Sequence, residues 1–307
     1  MSEYILRTNN LSKKYKHDFA NENINITIKR GEIYGFIGQN GAGKSTFLRL
    51  VTGLTFPTSG SIELFGNDNS NELTYAQKRM GAIIENPALF PNMSANENLE
   101  VHRLQKGIPG KECIKKTLDL VGLKDTGRKK VKNFSLGMKQ RLGLAIALLS
   151  DPEFIILDEP TNGLDPMGIV ELRVLIKKLN QEKGLTVLIS SHILSELHQL
   201  ATSFGIIHRG KLVEELTAKE LEEKCRQHLK IKVDDPIKGA TVLEKHLSTT
   251  DFEVMPDGTM KLYHFLDDIR TVSQTLTNNG LVIEHLSQNG DSLENYFSKL
   301  VGGVKHD

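Results

Sequence analysis

The residues Gly38, Gln39, Asn40, Gly41, Ala42, Gly43, Lys44, Ser45 and Thr46 fit the phosphate-binding pattern G-x-x-x-x-G-K-[ST] without a mismatch. Glycines at 38, 41 and 43 let the backbone curl so that successive N–H groups point inward and form a nest for phosphate oxygens. Lys44 supplies a point charge for the β- and γ-phosphates, and the Ser45 hydroxyl is a hard oxygen ligand for Mg²⁺. A helix starting here adds the positive end of its dipole. These residues imply a nucleoside triphosphate held with Mg²⁺.

Such a loop works between a strand and a helix. Ile33 to Ile37 reads as a short buried strand and Thr46 to Val51 as a helix, so both neighbours are predicted. Phe154 to Leu157 is an apolar run of the kind found in a buried parallel strand, and it ends in Asp158 and Glu159. Asp158 is placed to hold Mg²⁺ through a water, and Glu159 to polarise a hydrolytic water, a role worth roughly 10²–10⁴-fold; the alternative, two surface acids in a turn before Pro160, fits so apolar a strand less well. Thr186 to Ser190 reads as another buried strand, followed by Ser191 and His192. Ligands gather at the C-terminal edge of parallel sheets, so His192 is a candidate γ-phosphate contact, or else an ordinary hydrogen-bonded histidine. Ser61 to Phe65 and Met80 to Ile84 also read as strands. The second delivers Glu85 to the same edge, as a ligand for Mg²⁺ or water, or simply as a solvated acid.

Ahead of the loop, Ile5-Leu6 and the alternation Ile24, Ile26, Ile28 predict a half-buried antiparallel β layer. Between them lies Tyr15, flanked by Lys13, Lys14 and Lys16. Its ring is either an ordinary strand-end aromatic or a stacking platform for a base, worth ~1–3 kcal/mol. From about 87 to 150 the pattern is helical: Ser94 to Glu97 is a capping box before Leu99, Val101 and Leu104, and Lys111 to Val121 is a second amphipathic run. Phe134 to Arg141 leads into a nearly all-apolar helix over 142–149. Its start offers either free N–H groups for an anion or a plain serine cap. Asn162 to Pro166 reads as a turn into a helix over 167–180, and 204–214 as a closing hairpin about Arg209-Gly210.

A charged connector helix follows from about 219. Residues 228–286 then give a β-α-β-β-α-β order, as in ferredoxin-like domains, with a last helix over 292–301. Two domains are expected, 1–218 and 219–307, in line with 307 residues. With 39 basic and 38 acidic side chains the net charge is +1, which gives no global field for nucleic acid. No apolar run approaches the 18 residues of a membrane span and the first ten residues lack signal-peptide character, which predicts a cytoplasmic chain. Cys113 and Cys225 have no metal-ligand spacing.

In this order the motifs over about 4–215 resemble the ATP-binding subunit of ABC transporters. The resemblance implies a P-loop NTPase with a RecA-like α/β core, an antiparallel β subdomain and a helical subdomain, here with an α+β accessory domain. It implies ATP and Mg²⁺ as ligands, Tyr15 as the adenine-stacking aromatic and Phe134 to Met138 as the signature sequence. Glu159 becomes the catalytic base, Asp165 part of the intersubunit loop, and His192 the switch histidine. It further implies a head-to-tail dimer in which Ser135 and Gly137 contact the γ-phosphate held by the other subunit, and a separate transmembrane permease that places the chain peripherally on the inner membrane face.

Two positions depart from the family pattern. Glu85 stands where a glutamine is usual, and the signature reads Phe-Ser-Leu-Gly-Met. A carboxylate only accepts hydrogen bonds, unlike an amide, so coupling to hydrolysis is expected to differ. Glu85 and the C-terminal extension are similar to the bacitracin-resistance and lantibiotic-immunity subgroup, whose members export membrane-active peptides. Transport of another substrate, a non-transport ABC ATPase acting on ribosomes or DNA, and a phosphate-loop kinase or GTPase are the alternatives. The single cassette, the absence of a long heptad run, Ser135–Gly137 and His192 weigh against the last two.

Overall fold

A computed structural model describes residues 3–68, 70–290 and 292–302. The chain divides into two compact units, Met1–Ala218 and Lys219–Asp307.

The first unit is built on a six-stranded sheet in the order Lys211–Thr217, Ser203–His208, Ile33–Ile37, Thr186–Ser191, Phe154–Asp158, Met80–Ile83. Every pairing is parallel except that of the first two strands. Every residue of Ile33–Ile37, Phe154–Asp158 and Thr186–Ser191 is buried, as expected of central parallel strands covered on both faces. The register sets Ile37 beside Ser191 and Asp158 beside Ser190, while Ile83 pairs with Leu157. The residues that follow four strands thus emerge side by side at one edge.

A second, antiparallel sheet is organised around Tyr4–Tyr15, which pairs with Asp18–Ile24, Thr27–Lys29 and Ser59–Leu64. The alternation Ile24, Ile26, Ile28 does not form one strand. Asn23 takes a left-handed conformation and the Asn25 side chain bonds the backbone N–H of Asn10, so the chain breaks there and both halves pair with Tyr4–Tyr15. All three isoleucines still reach the core.

The helices Ala95–Gln105, Glu112–Leu120 and Leu136–Leu148 make up the helical block. Both capping-box bonds form at Ser94: its backbone N–H donates to Glu97 and its hydroxyl accepts from the Glu97 N–H. Leu104, expected on the apolar face, is instead exposed. The third helix begins at Leu136, six residues before its apolar run. The Ser135 side chain accepts from the Met138 N–H and starts it, whereas the apolar residues mark only its buried part.

In the second unit the strands Phe252–Val254, Met260–Leu262, His228–Val233 and Ile283–Asn289 form an antiparallel sheet in that order. Its core joins Leu229, Ile231 and Leu262 to Val242 and Leu243 of the helix Pro236–His246 and Val272 and Leu276 of the helix Ile269–Asn278. Asp257 accepts from the Thr259 N–H and hydroxyl while Gly258 supplies φ +81°, which fixes the hairpin turn.

Candidate active site

The loop 38–43 lies between Ile33–Ile37 and the helix Lys44–Val51, which starts two residues earlier than the apolar pattern indicates. Gly41 and Gly43 have φ of +80° and +108°. A Cβ on Gly43 would lie 2.2 Å from the Ala20 carbonyl oxygen, and one on Gly38 would lie 2.6 Å from that of Ile207. Only glycine fits at either position. Side-chain space over Gly41, by contrast, is open, which suits a backbone cradle that faces an incoming anion.

Lys44 is 4% exposed. Its ammonium donates to the carbonyls of Gly38 at 2.6 Å and Gln39 at 3.3 Å, and lies 3.0 Å from Glu159 Oε1. The other Glu159 oxygen accepts from Asn162 Nδ2 at 2.5 Å and lies 3.0 Å from His192 Nδ1. Burial acts to raise the pKa of Glu159. Hydrogen bonds from Lys44 and Asn162, with the charges of Lys44 and His192, outweigh that and leave it below the usual carboxylate range. An ionised carboxylate only accepts, so the hydrogen of this contact sits on His192 Nδ1.

Asp158 is buried, and its Oδ1 accepts from the Ser190 hydroxyl at 2.6 Å; the Ser190 oxygen accepts in turn from the Glu159 N–H at 2.9 Å. Ser190 therefore orients both acids, although the sequence marked it only as the polar end of an apolar strand. Glu159 itself has φ +45°, a left-handed conformation that side chains seldom adopt and that active sites often retain.

Glu85 also has a left-handed backbone, φ +62°. Its carboxylate pairs with Arg49, one turn along the helix from Ser45. Among the described residues no group of three or more His, Cys, Asp or Glu side chains could hold a metal. A Mg²⁺ ion would fit Ser45 and Asp158 only with phosphate and water oxygens completing its shell, the usual arrangement for this ion.

Tyr15 closes the hairpin opposite Asp18, two residues from the Ala20 that packs on Gly43, and its ring is 48% exposed. The same hairpin hides a residue the pattern did not reveal: Asn21, fully buried, donates from Nδ2 to the Gly43 carbonyl at 3.1 Å. Gly210 joins the two, donating its N–H to Ala42 and accepting from Glu22.

Ser135, Gly137 and Asp165 do not join this cluster. They line a separate groove of about 440 Å³ with Leu136, Met138 and Gly163. Asp165 caps the helix Pro166–Lys183 by accepting from the Gly168 N–H at 2.9 Å, and Arg141 and Glu171 pair across the groove.

The ABC transporter family profile matches residues 21–162. The bacitracin transport ATP-binding protein BcrA of Bacillus licheniformis is 44% identical over 299 residues, covering 97% of this chain and 98% of that protein. The chain belongs to the ABC transporter ATP-binding proteins. The lantibiotic transport ATP-binding protein SrtF of Streptococcus pyogenes is 46% identical over 209 residues, 68% of this ABC protein and 89% of its own length. Among solved structures, cbiO1 from Clostridium perfringens, part of the ABC transporter complex cbiONQ, superposes with a TM-score of 0.66 at 28% identity over 73% of this chain and 92% of that one. A dimeric post-hydrolysis state of the ATP-binding cassette MJ0796 bound to ADP and Pi gives 0.63 at 27% identity over 70% and 99%. This chain shares the P-loop NTPase cassette fold with these two structures. No helix among the described residues is long and apolar enough to cross a membrane.

Proposed function

We propose that this chain binds and hydrolyses ATP as the motor subunit of an exporter for antimicrobial peptides or peptide antibiotics, acting as a head-to-tail dimer on a separate permease. One observation carries the dimer. Lys44, Asp158, Glu159 and His192 surround the phosphate loop, whereas Ser135, Gly137 and Asp165 line a different groove. Two copies facing each other let the groove of one complete the loop of the other. The bacitracin and lantibiotic transport relatives support the export reading. No helix among the described residues is long and apolar enough to cross a membrane, and in this reading a separate permease supplies the path and holds the chain at the cytoplasmic membrane face.

In this reading Gly38 to Thr46 would hold the phosphates, and Ser45 and Asp158 would ligate Mg²⁺, as would Glu85 once parted from Arg49, the ion supplying positive charge against the phosphates. Lys44 moves from Glu159 and its own loop carbonyls onto phosphate. That frees Glu159 as base for water, while His192 keeps its orientation. Residues 219–307 form a ferredoxin-like accessory domain, and the near-zero net charge offers nothing for nucleic acid.

The test is ATPase rate against protein concentration. A rate rising faster than linearly supports the dimer. Strict proportionality across a range that spans dimerisation points to a site within one chain and defeats it. Replacing Tyr15 by Ala is expected to weaken ATP binding by about tenfold, the size of one lost base stack, with inorganic triphosphate bound as before. Equal ATP affinity in a nucleotide titration removes the ring from the base site.

A further inference from the structure

We propose that the contact between Pro87 and Gly143 is the point at which the position of Glu85 is passed to the helix that carries Ser135 and Gly137. This rests on the reading that Ser135 and Gly137 complete the partner's ATP site. The strand Met80–Ile83 and the helix Leu136–Leu148 approach more closely than side chains allow. A Cβ on Gly81 would lie 2.1 Å from the Ala147 carbonyl oxygen. One on Gly143 would lie 2.6 Å from Pro87 Cβ, 3.0 Å from Pro87 Cγ and 3.4 Å from Ile83 Cδ1. Neither glycine has a positive φ, so room explains them and backbone conformation does not. A glycine inside a helix weakens it and is kept where packing requires it.

The two contacts differ in kind. Gly81 is fixed in the sheet by its pairing with Ile155. Pro87 lies beyond the end of that strand, two residues after the left-handed turn at Glu85, and its ring cannot swing aside as a long side chain can. Motion of Glu85 is therefore pressed onto Gly143. A second fastening keeps the segment from yielding elsewhere. The fully buried Asn98 accepts from the Phe90 N–H at 2.7 Å and donates to its carbonyl at 3.1 Å. The N–H groups of Lys132 and Val131 donate to the carbonyls of Pro91 and Met93, both at 2.9 Å. Residues 131–134 run directly into Ser135. The loop from Glu85 is thus tied to the signature helix at its side and at its start.

The test uses the full chain carrying Glu159→Gln, with ATP affinity measured at low protein concentration and ATP-driven self-association by analytical ultracentrifugation. Gly143→Ala overfills the contact and Pro87→Gly, which adds no atoms, empties it. Each is expected to weaken association by about tenfold while ATP affinity stays within about threefold, and the double variant, with the volume restored, to return within about threefold of the parent. Association equal in all four chains, or a double variant no better than Gly143→Ala alone, overturns the inference and leaves the dimer standing. No association in the parent overturns both.

Discussion

Lys44→Ala is expected to leave little ATP bound at concentrations that just saturate the natural chain. Two losses act together. The ammonium is the only charge-bearing group of the loop itself, and its removal deprives the phosphates of a charge-assisted partner in a site that is largely shielded from water. The same ammonium holds the loop in shape by donating to Gly38 and Gln39, so alanine also loosens the curl that aims the N–H groups. Glu159, 18% exposed, then faces the incoming phosphates with its main counter-charge gone. A fall in affinity of about a hundredfold or more corresponds to ~3 kcal/mol, within what loss of a shielded charge partner costs. Calorimetric titration with ATP in the presence of Mg²⁺ measures it, and near-normal affinity in a folded variant defeats the phosphate-site assignment.

The parts of this site that lie next to one another in the chain are legible in the sequence itself. The phosphate loop is nine contiguous residues, and Phe154–Glu159 announces itself as an apolar strand ending in acids. Contacts set by sheet register, or by a turn far away in sequence, leave no such local pattern. Ser190 orients Asp158 and Glu159 because parallel pairing sets it beside Asp158. Asn21 reaches Gly43 because a hairpin folds across the loop, and nothing in its spacing signals that. Arg49 is an ordinary helix residue until the left-handed turn at Glu85 brings a carboxylate to it. The start of the signature helix is hidden for another reason: apolar periodicity reports burial, whereas the helix begins at the Ser135 cap, with Leu136 still 46% exposed. Ser135, Gly137 and Asp165 line a groove apart from the residues around Lys44, so the roles proposed for them rest on the family resemblance and not on spacing.

Glu159→Gln is expected to hold ATP unhydrolysed and to accumulate as a dimer, with turnover falling by roughly 10²–10⁴-fold, the contribution of a placed base. The substitution keeps shape but not polarity. All three neighbours of the carboxylate donate: Lys44 to one oxygen, Asn162 and His192 to the other. A glutamine can turn only one oxygen toward them. With that oxygen toward Lys44, its NH₂ meets both Asn162 and His192, so Asn162 must turn its amide to present Oδ1 and His192 Nδ1 must give up its hydrogen and accept. The arrangement around Lys44 before ATP binds thereby survives, and because Lys44 leaves residue 159 for phosphate on binding, the substitution removes the base without removing a phosphate contact. Glu159→Ala leaves Lys44 without that partner and serves as the contrast. Gel filtration with radiolabelled ATP distinguishes the outcomes: ATP bound to a dimer supports the assignment, and ADP released at the wild-type rate removes Glu159 from catalysis. Without ATP bound, burial is outweighed by hydrogen bonds from Lys44 and Asn162, which hold the carboxyl ionised below the usual carboxylate range, so kcat/KM, which reports the free chain, persists as pH falls and declines only through that lowered pKa. An acid limb that instead lies above the ordinary carboxylate range belongs to some other group, and Glu159 is then not the base that limits the rate.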